Sequence, residues 1–101
     1  MNKPPVIALL TDFGYSDSYV ASMKGIMFTL APSAHIIDIS HGIKPQDIDD
    51  AAFVLWSSYK YFPKGTIFVC VVDPGVGSRR KILCLKTKNY FFLAPDNGIL
   101  K

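Results

Sequence analysis

The chain has 101 residues, enough for one domain and no more, and half of them are apolar, so a packed core is available. Eleven Lys and Arg against eight acidic residues, all of them Asp, give a formal charge of +3. The positive charges are scattered apart from Arg79-Arg80-Lys81, which argues against the one-sided basic face of a nucleic-acid binder and leaves at most an anionic ligand.

The first apolar run, residues 6–10, is β-branched at Val6 and Ile7 and reads as a strand buried on both faces, the pattern of a parallel sheet. It is too short for a signal-peptide core, and no stretch approaches membrane-spanning length, so a cytoplasmic protein without a membrane partner is expected. Thr11-Asp12-Phe13-Gly14 turns the chain. Ser16 is the expected cap of a first helix, with Tyr19, Met23, Ile26 or Met27, and Leu30 at helical spacing and Pro32 as its stop. Residues 35–39 read as a second strand and 40–45 as a loop. Asp47 is the expected cap of a second helix that turns Ile48, Ala51, Ala52, Leu55, Trp56 and Tyr59 to one side. Phe62-Pro63-Lys64-Gly65 ends it. A third strand over residues 67–72, a glycine-bearing loop over 73–80, and strands over 82–86 and 90–93 complete the chain. The order β-α-β-α-β-β-β predicts an α/β, Rossmann-like three-layer domain with a mostly parallel central sheet. Cys70 and Cys84 both lie in apolar runs and are expected to be buried thiols, not a secreted disulfide framework.

In such sheets ligands bind beyond the carboxyl ends of the strands, where three polar loops fall: 11–16, 40–45 and 73–80. If the first and third strands are parallel neighbours, Asp12 and Asp73 face one crevice. Asp12 could accept hydrogen bonds from both hydroxyls of a ribose, or cap nearby amides in an Asx turn; position alone leaves both open. Asp17 suits simple capping of the first helix. Phe13 and Tyr15 flank this loop, and either could stack on a base or cover a pocket. Asp73-Pro74-Gly75-Val76-Gly77 puts a carboxylate at a strand end, before two glycines that permit close backbone approach. It is neither the dinucleotide fingerprint nor the Walker loop, and a tight turn between strands is its plain alternative. Arg79 or Arg80 could hold the Asp73 carboxylate, bind an anionic ligand or orient a water, or remain a solvated pair. Ser40, His41 and Asp38 do not make a Ser-His-Asp site: Ser40 and His41 are adjacent and no nucleophile elbow is present. His41 could instead line a polar pocket or fix its loop. Asp96-Asn97-Gly98 is a turn by composition that could bring polar groups to the site. Neither Cys-x-x-Cys nor His-Glu-x-x-His spacing occurs, so no metal and no cofactor is expected.

Thr11-Asp12-Phe13-Gly14 with Asp17, Tyr19, Val20 and Met23-Lys24-Gly25, then Asp38-Ile39-Ser40-His41, Pro45, Asp47, residues 61–66, Val71-Val72-Asp73-Pro74-Gly75-Val76-Gly77 and Pro95-Asp96-Asn97-Gly98, together make the chain resemble the amino-terminal domain of the S-adenosyl-L-methionine (SAM) hydroxide adenosyltransferase family, the adenosine-forming SAM hydrolases akin to fluorinase and chlorinase. The resemblance implies hydrolysis of SAM to adenosine and L-methionine, with SAM as substrate. It implies Asp73 and Arg80 as catalytic residues and Asp12, Phe13 and Gly14 as substrate-binding residues, Asp12 holding the ribose diol. It implies, further, that residues 1–101 are the amino-terminal domain of a longer protein, without its carboxyl-terminal β-rich domain and without the family's catalytic histidine, a role that neither His35 nor His41 fills. Full-length relatives form trimers with the substrate between domains of neighbouring subunits, so a homotrimer is expected of the full protein and little or no activity of the isolated piece. The halide-using relatives carry tyrosine at the position of Asp73 and threonine at that of Val76. A carboxylate at Asp73 repels an incoming halide and accepts a hydrogen bond from water, which favours hydrolysis. A SAM-dependent halogenase and a nucleoside-binding module without catalysis are the alternatives.

Overall fold

The computed structural model describes residues 4–14, 18–72 and 81–100. The elements are β1 (Val6–Thr11), α1 (Tyr19–Leu30), β2 (His35–Ser40), α2 (Ile48–Ser58) running into a short 3-10 turn (Tyr59–Tyr61), β3 (Ile67–Val71), β4 (Ile82–Lys86) and β5 (Phe91–Pro95). They form one five-stranded sheet in the order β2-β1-β3-β5-β4. β1 pairs in parallel with both β2 and β3, and β3 with β5, while β4 runs antiparallel to β5. The result is the expected α/β, Rossmann-like three-layer domain.

β1 lies inside the sheet with helices on both faces, and this is why its sequence is apolar without alternation. Ala8 and Leu10 face α2 and pack with Ala51, Leu55, Phe68, Cys70, Val72, Phe92, Ala94 and Ile99 in the main core. Leu9 and Thr11 point to the α1 side and are also wholly buried. Sealing Leu55 from water contributes about 1.5–3 kcal/mol. Around this core the rings of Phe68 and Phe92 stack at 5.0 Å, and Trp56 lies 5.2 Å from Phe92. The polar ends of these aromatics are satisfied: Trp56 Nε1 donates to the Ile99 carbonyl and the Tyr90 hydroxyl to that of Phe62.

Asp47 caps α2 as expected, its Oδ1 accepting the Asp50 N–H at 2.9 Å, and Asp49 and Asp50 place negative charge in the first turn. Asp47→Ala is expected to lower stability by about 1 kcal/mol, read as a lower urea midpoint at unchanged m-value.

Three expectations need correction. The residue at the N-cap of α1 is Ser18, with no side-chain cap bond; Ser16, expected there, and Asp17 lie outside the described residues. Of the residues expected at helical spacing, Tyr19, Ile26 and Leu30 are exposed, while Met23 and Met27, the alternative to Ile26, are half-buried. The half-buried stripe of α1 is Val20, Met23, Lys24 and Met27, and no α1 residue is fully buried. Apolar residues surround this helix, so more than one stripe fits the helical period. Finally, both thiols are free but only Cys70 is buried; Cys84 is exposed, because β4 is the sheet's outer strand. Burial pushes the Cys70 thiol up to about 12, which makes it inert at neutral pH.

Candidate functional site

The chain reverses its direction across the sheet at β1. α1 leads from β1 to β2 on one side, and α2 carries the chain back past β1 to β3 on the other. The carboxyl ends of β1 and β3 therefore flank the topological switch point, where open α/β sheets bind ligands. The condition for Asp12 and Asp73 to share a crevice, parallel neighbouring strands, is met by the pairing of Thr11 with Val71. Asp73 and Arg80 themselves lie outside the described residues, as do Tyr15 and Arg79.

Asp12 follows β1 directly and is half-buried. Its N–H donates to the Val71 carbonyl at 3.4 Å, so the loop leaves the sheet still attached to β3. Its Oδ2 accepts the Gln46 N–H at 2.7 Å, across the gap between the loop after β1 and the loop after β2. Oδ1 has no partner among the described residues and can take a ligand hydroxyl, and each carboxylate oxygen has room for a second donor. Of the two readings that position left open, capping by Asp12 is real, but the amide it caps belongs to a different loop. Phe13 is half-buried, its ring 5.9 Å from that of Tyr19. Gly14 has φ +77°, which a side chain would strain, and its N–H donates to the His41 carbonyl at 2.8 Å.

Gln46 reaches Asp12 because its φ is 62°, the left-handed region that a non-glycine residue enters only at a cost; no other non-glycine among the described residues does so. Gln46→Gly is expected to keep the amide on Asp12 and to leave stability unchanged or about 1 kcal/mol higher. Gln46→Pro deletes the donor and forces φ negative, so a loss of about 3 kcal/mol is expected in urea unfolding.

The sequence did not reveal what lies beneath this loop. His41 is only 1% exposed. Its Nδ1 lies 2.6 Å from Thr11 Oγ1 and its Nε2 2.7 Å from Asp38 Oδ1. Thr11 Oγ1 also accepts the Phe13 N–H at 3.2 Å, and Lys24 from α1 donates to Asp38 Oδ2 at 2.6 Å. Desolvation pushes the Asp38 carboxyl up, but the hydrogen bonds from Lys24 and His41 and their charges outweigh it and hold the group below its usual range. Asp38 and His41 can bond to each other because the register slips between Leu9, opposite Asp38, and Leu10, opposite Ser40. The extra residue, Ile39, changes the alternation, so positions three apart face the same side.

The turn after β5 closes the other side of the site. Asn97 Nδ2 donates to the Val72 carbonyl at 2.7 Å, and its Oδ1 accepts the Ile99 N–H, with Gly98 at φ 100°. The polar turn at Asp96-Asn97-Gly98 thus meets the residue immediately before Asp73. A cavity of about 460 Å³ lined by Pro4, Pro5, Val6, His35, Pro63, Lys64 and Gly65 lies at the opposite, amino-terminal end of the strands, away from these groups. Among the described residues no group of three or more His, Cys, Asp or Glu could hold a metal ion, and no helix is long and apolar enough to cross a membrane.

The model of the SAM hydroxide adenosyltransferase N-terminal domain matches residues 7–101. The chain is 44% identical to the (R)-S-adenosyl-L-methionine hydrolase of Methanocaldococcus jannaschii over 99 residues, covering 93% of this chain and 37% of that protein. Against the (R)-S-adenosyl-L-methionine hydrolase of Salinispora arenicola the identity is 40% over 100 residues, covering 99% of this chain and 38% of the relative. The crystal structure of an uncharacterized conserved protein from Thermotoga maritima superposes with a TM-score of 0.89 at 44% identity, over 93% of this chain and 36% of that one. The chain thus spans well under half the length of these relatives.

Proposed function

The chain belongs to the SAM hydroxide adenosyltransferase N-terminal domain family, and from that premise we propose that the full-length protein hydrolyses SAM to adenosine and L-methionine. Water attacks the ribose C5′ opposite the sulfonium. A C5′–O bond forms, the C5′–S bond breaks with its electron pair returning to sulfur as the neutral thioether of methionine, and the proton that the water gives up passes to solvent. A sulfonium is already a good leaving group, so no acid need protonate it. The site's task is to place water and carbon in line.

The single observation that carries this reading is the position of the Asp12 carboxylate. It stands at the switch point, its Oδ1 without a partner among the described residues, just after the strand that pairs with the one preceding Asp73 in the sequence. A diol held there would keep the sugar, and with it C5′, in the crevice at the carboxyl ends of β1 and β3. Asp73 would accept a hydrogen bond from the attacking water and Arg80 would fix that carboxylate. Phe13 and Gly14 would line the sugar side. A histidine from the segment after Pro95-Asp96-Asn97-Gly98, absent from residues 1–101, would complete the set, and in a homotrimer the neighbouring subunit would close the pocket.

The test is the product profile of the purified full-length protein with SAM, followed by chromatography with and without chloride. Adenosine and methionine in equal amounts, independent of chloride, are expected. Chloride-dependent 5′-chloro-5′-deoxyadenosine would replace this reading with halide transfer, and tight binding without product would replace it with a nucleoside-binding role.

A further inference from the structure

We propose that His41 is a positioning residue, fixing through Thr11 the loop that presents the Asp12 carboxylate to the ribose; this rests on the hydrolase reading above. Asp12 sits between Thr11 and Phe13, and both are tied to the same imidazole. Thr11 Oγ1 meets Nδ1 of His41 directly, and the Phe13 N–H reaches it through that hydroxyl. The His41 carbonyl holds the next residue, Gly14, through its N–H. His41 thus anchors the loop on both sides of Asp12.

One of these hydrogen bonds has a direction fixed by chemistry. An ionised Asp38 can only accept, so Nε2 of His41 donates to it and Nδ1 is left for the Thr11 hydroxyl. The same Thr11 oxygen accepts the Phe13 N–H. Lys24 holds the far oxygen of Asp38, so α1, β2 and β1 fix the ring orientation together.

Stability alone does not call for such a chain. Replacing both members of a buried polar pair by apolar groups of similar shape is close to neutral. What an apolar replacement cannot supply is direction: it would fill the space but leave residues 11–14 free to settle elsewhere. Directed bonds from a buried ring, where packing limits its movement, preorganise the ligand group above them.

The test uses the full-length protein and measures kcat and KM for SAM, and the Kd of adenosine by calorimetry. The double variant Thr11→Val with His41→Leu is expected to raise KM and Kd about tenfold, the factor of one hydrogen bond's free energy, with kcat at saturation within about twofold. Thr11→Ser, which keeps the hydroxyl, restores binding. In an Asp12→Ala background the double variant costs nothing further, because its effect passes through that carboxylate. Leu55→Ala, on the far face of the sheet, lowers the Tm but leaves Kd unchanged. Should the double variant not fold, Thr11→Val alone carries the same expectation. Unchanged Kd in a folded variant, or a penalty of equal size without Asp12, overturns the proposal. A wild-type protein that neither binds nor cleaves SAM overturns the hydrolase reading, and this inference with it.

Discussion

Asp73→Ala in the full-length protein is expected to lower kcat for SAM hydrolysis by about 10²–10⁴-fold, the usual contribution of a positioned acid–base group, while KM changes by less than about threefold. In the sequence Asp73 follows Val72, two positions after the end of β3, whose carboxyl end flanks that of β1. Its proposed partner is the attacking water and not the nucleoside, so removing it should spare binding. Asp73→Asn separates two parts of the role. The amide can still position a water through its oxygen but cannot draw a proton from it, so an activity between wild type and alanine assigns the difference to charge. Arg80→Lys keeps the charge but loses the planar fork that would hold the Asp73 carboxylate, and should resemble Asp73→Asn. A rise in KM with kcat intact in Asp73→Ala would move this residue into substrate binding and leave the water without its proposed acceptor.

The core of the fold was legible because its signals are local. Residues 6–10 and 67–71 are continuous apolar runs that only a strand covered on both faces would carry, and Asp47 with Asp50 at its N3 position marks the start of α2 in the sequence itself. Elements whose environment depends on distant partners were less clear. Cys84 looks as apolar in context as Cys70, and only the strand order shows that one lies on the outer strand and the other in the centre. β5 extends to Pro95, beyond the expected end at Leu93, although proline usually stops a strand. The parallel ladder with β3 covers only Phe91 to Leu93, so no partner there needs a proline N–H, and Pro95 lies opposite Ile82 of β4.

The site divides in the same way. Asp12 was recognisable as a carboxylate at a strand end. The network beneath it was not, because it depends on a one-residue slip in a parallel ladder. With regular alternation Asp38 and His41 would face opposite sides of the sheet, and a sequence reading has no reason to join them to each other or to join His41 to Thr11, thirty positions earlier. Likewise, nothing in Pro45-Gln46-Asp47 announces a left-handed residue whose amide crosses to another loop. Sequence motifs identify the groups that meet a ligand more readily than the groups that orient them, since the second kind are set by tertiary register.

Asp12→Ala should fail in the opposite kinetic sense to Asp73→Ala. Hydrogen bonds to a charged group contribute about 1.5–3 kcal/mol each, so losing the ribose diol contacts is expected to raise the Kd of adenosine and the KM of SAM by at least about 10²-fold, with a smaller fall in kcat. Part of the damage could come from the loops, since Asp12 also holds the Gln46 amide. Ligand analogues separate the two. Wild-type protein should bind 2′,3′-dideoxyadenosine as weakly as Asp12→Ala binds adenosine, and the variant should not distinguish the two nucleosides at all. A variant that still prefers the diol would mean that another group reads the ribose and that Asp12 serves only to join the loops after β1 and β2. A variant blind to it makes Oδ1, unpartnered among the described residues, the atom that reads the sugar.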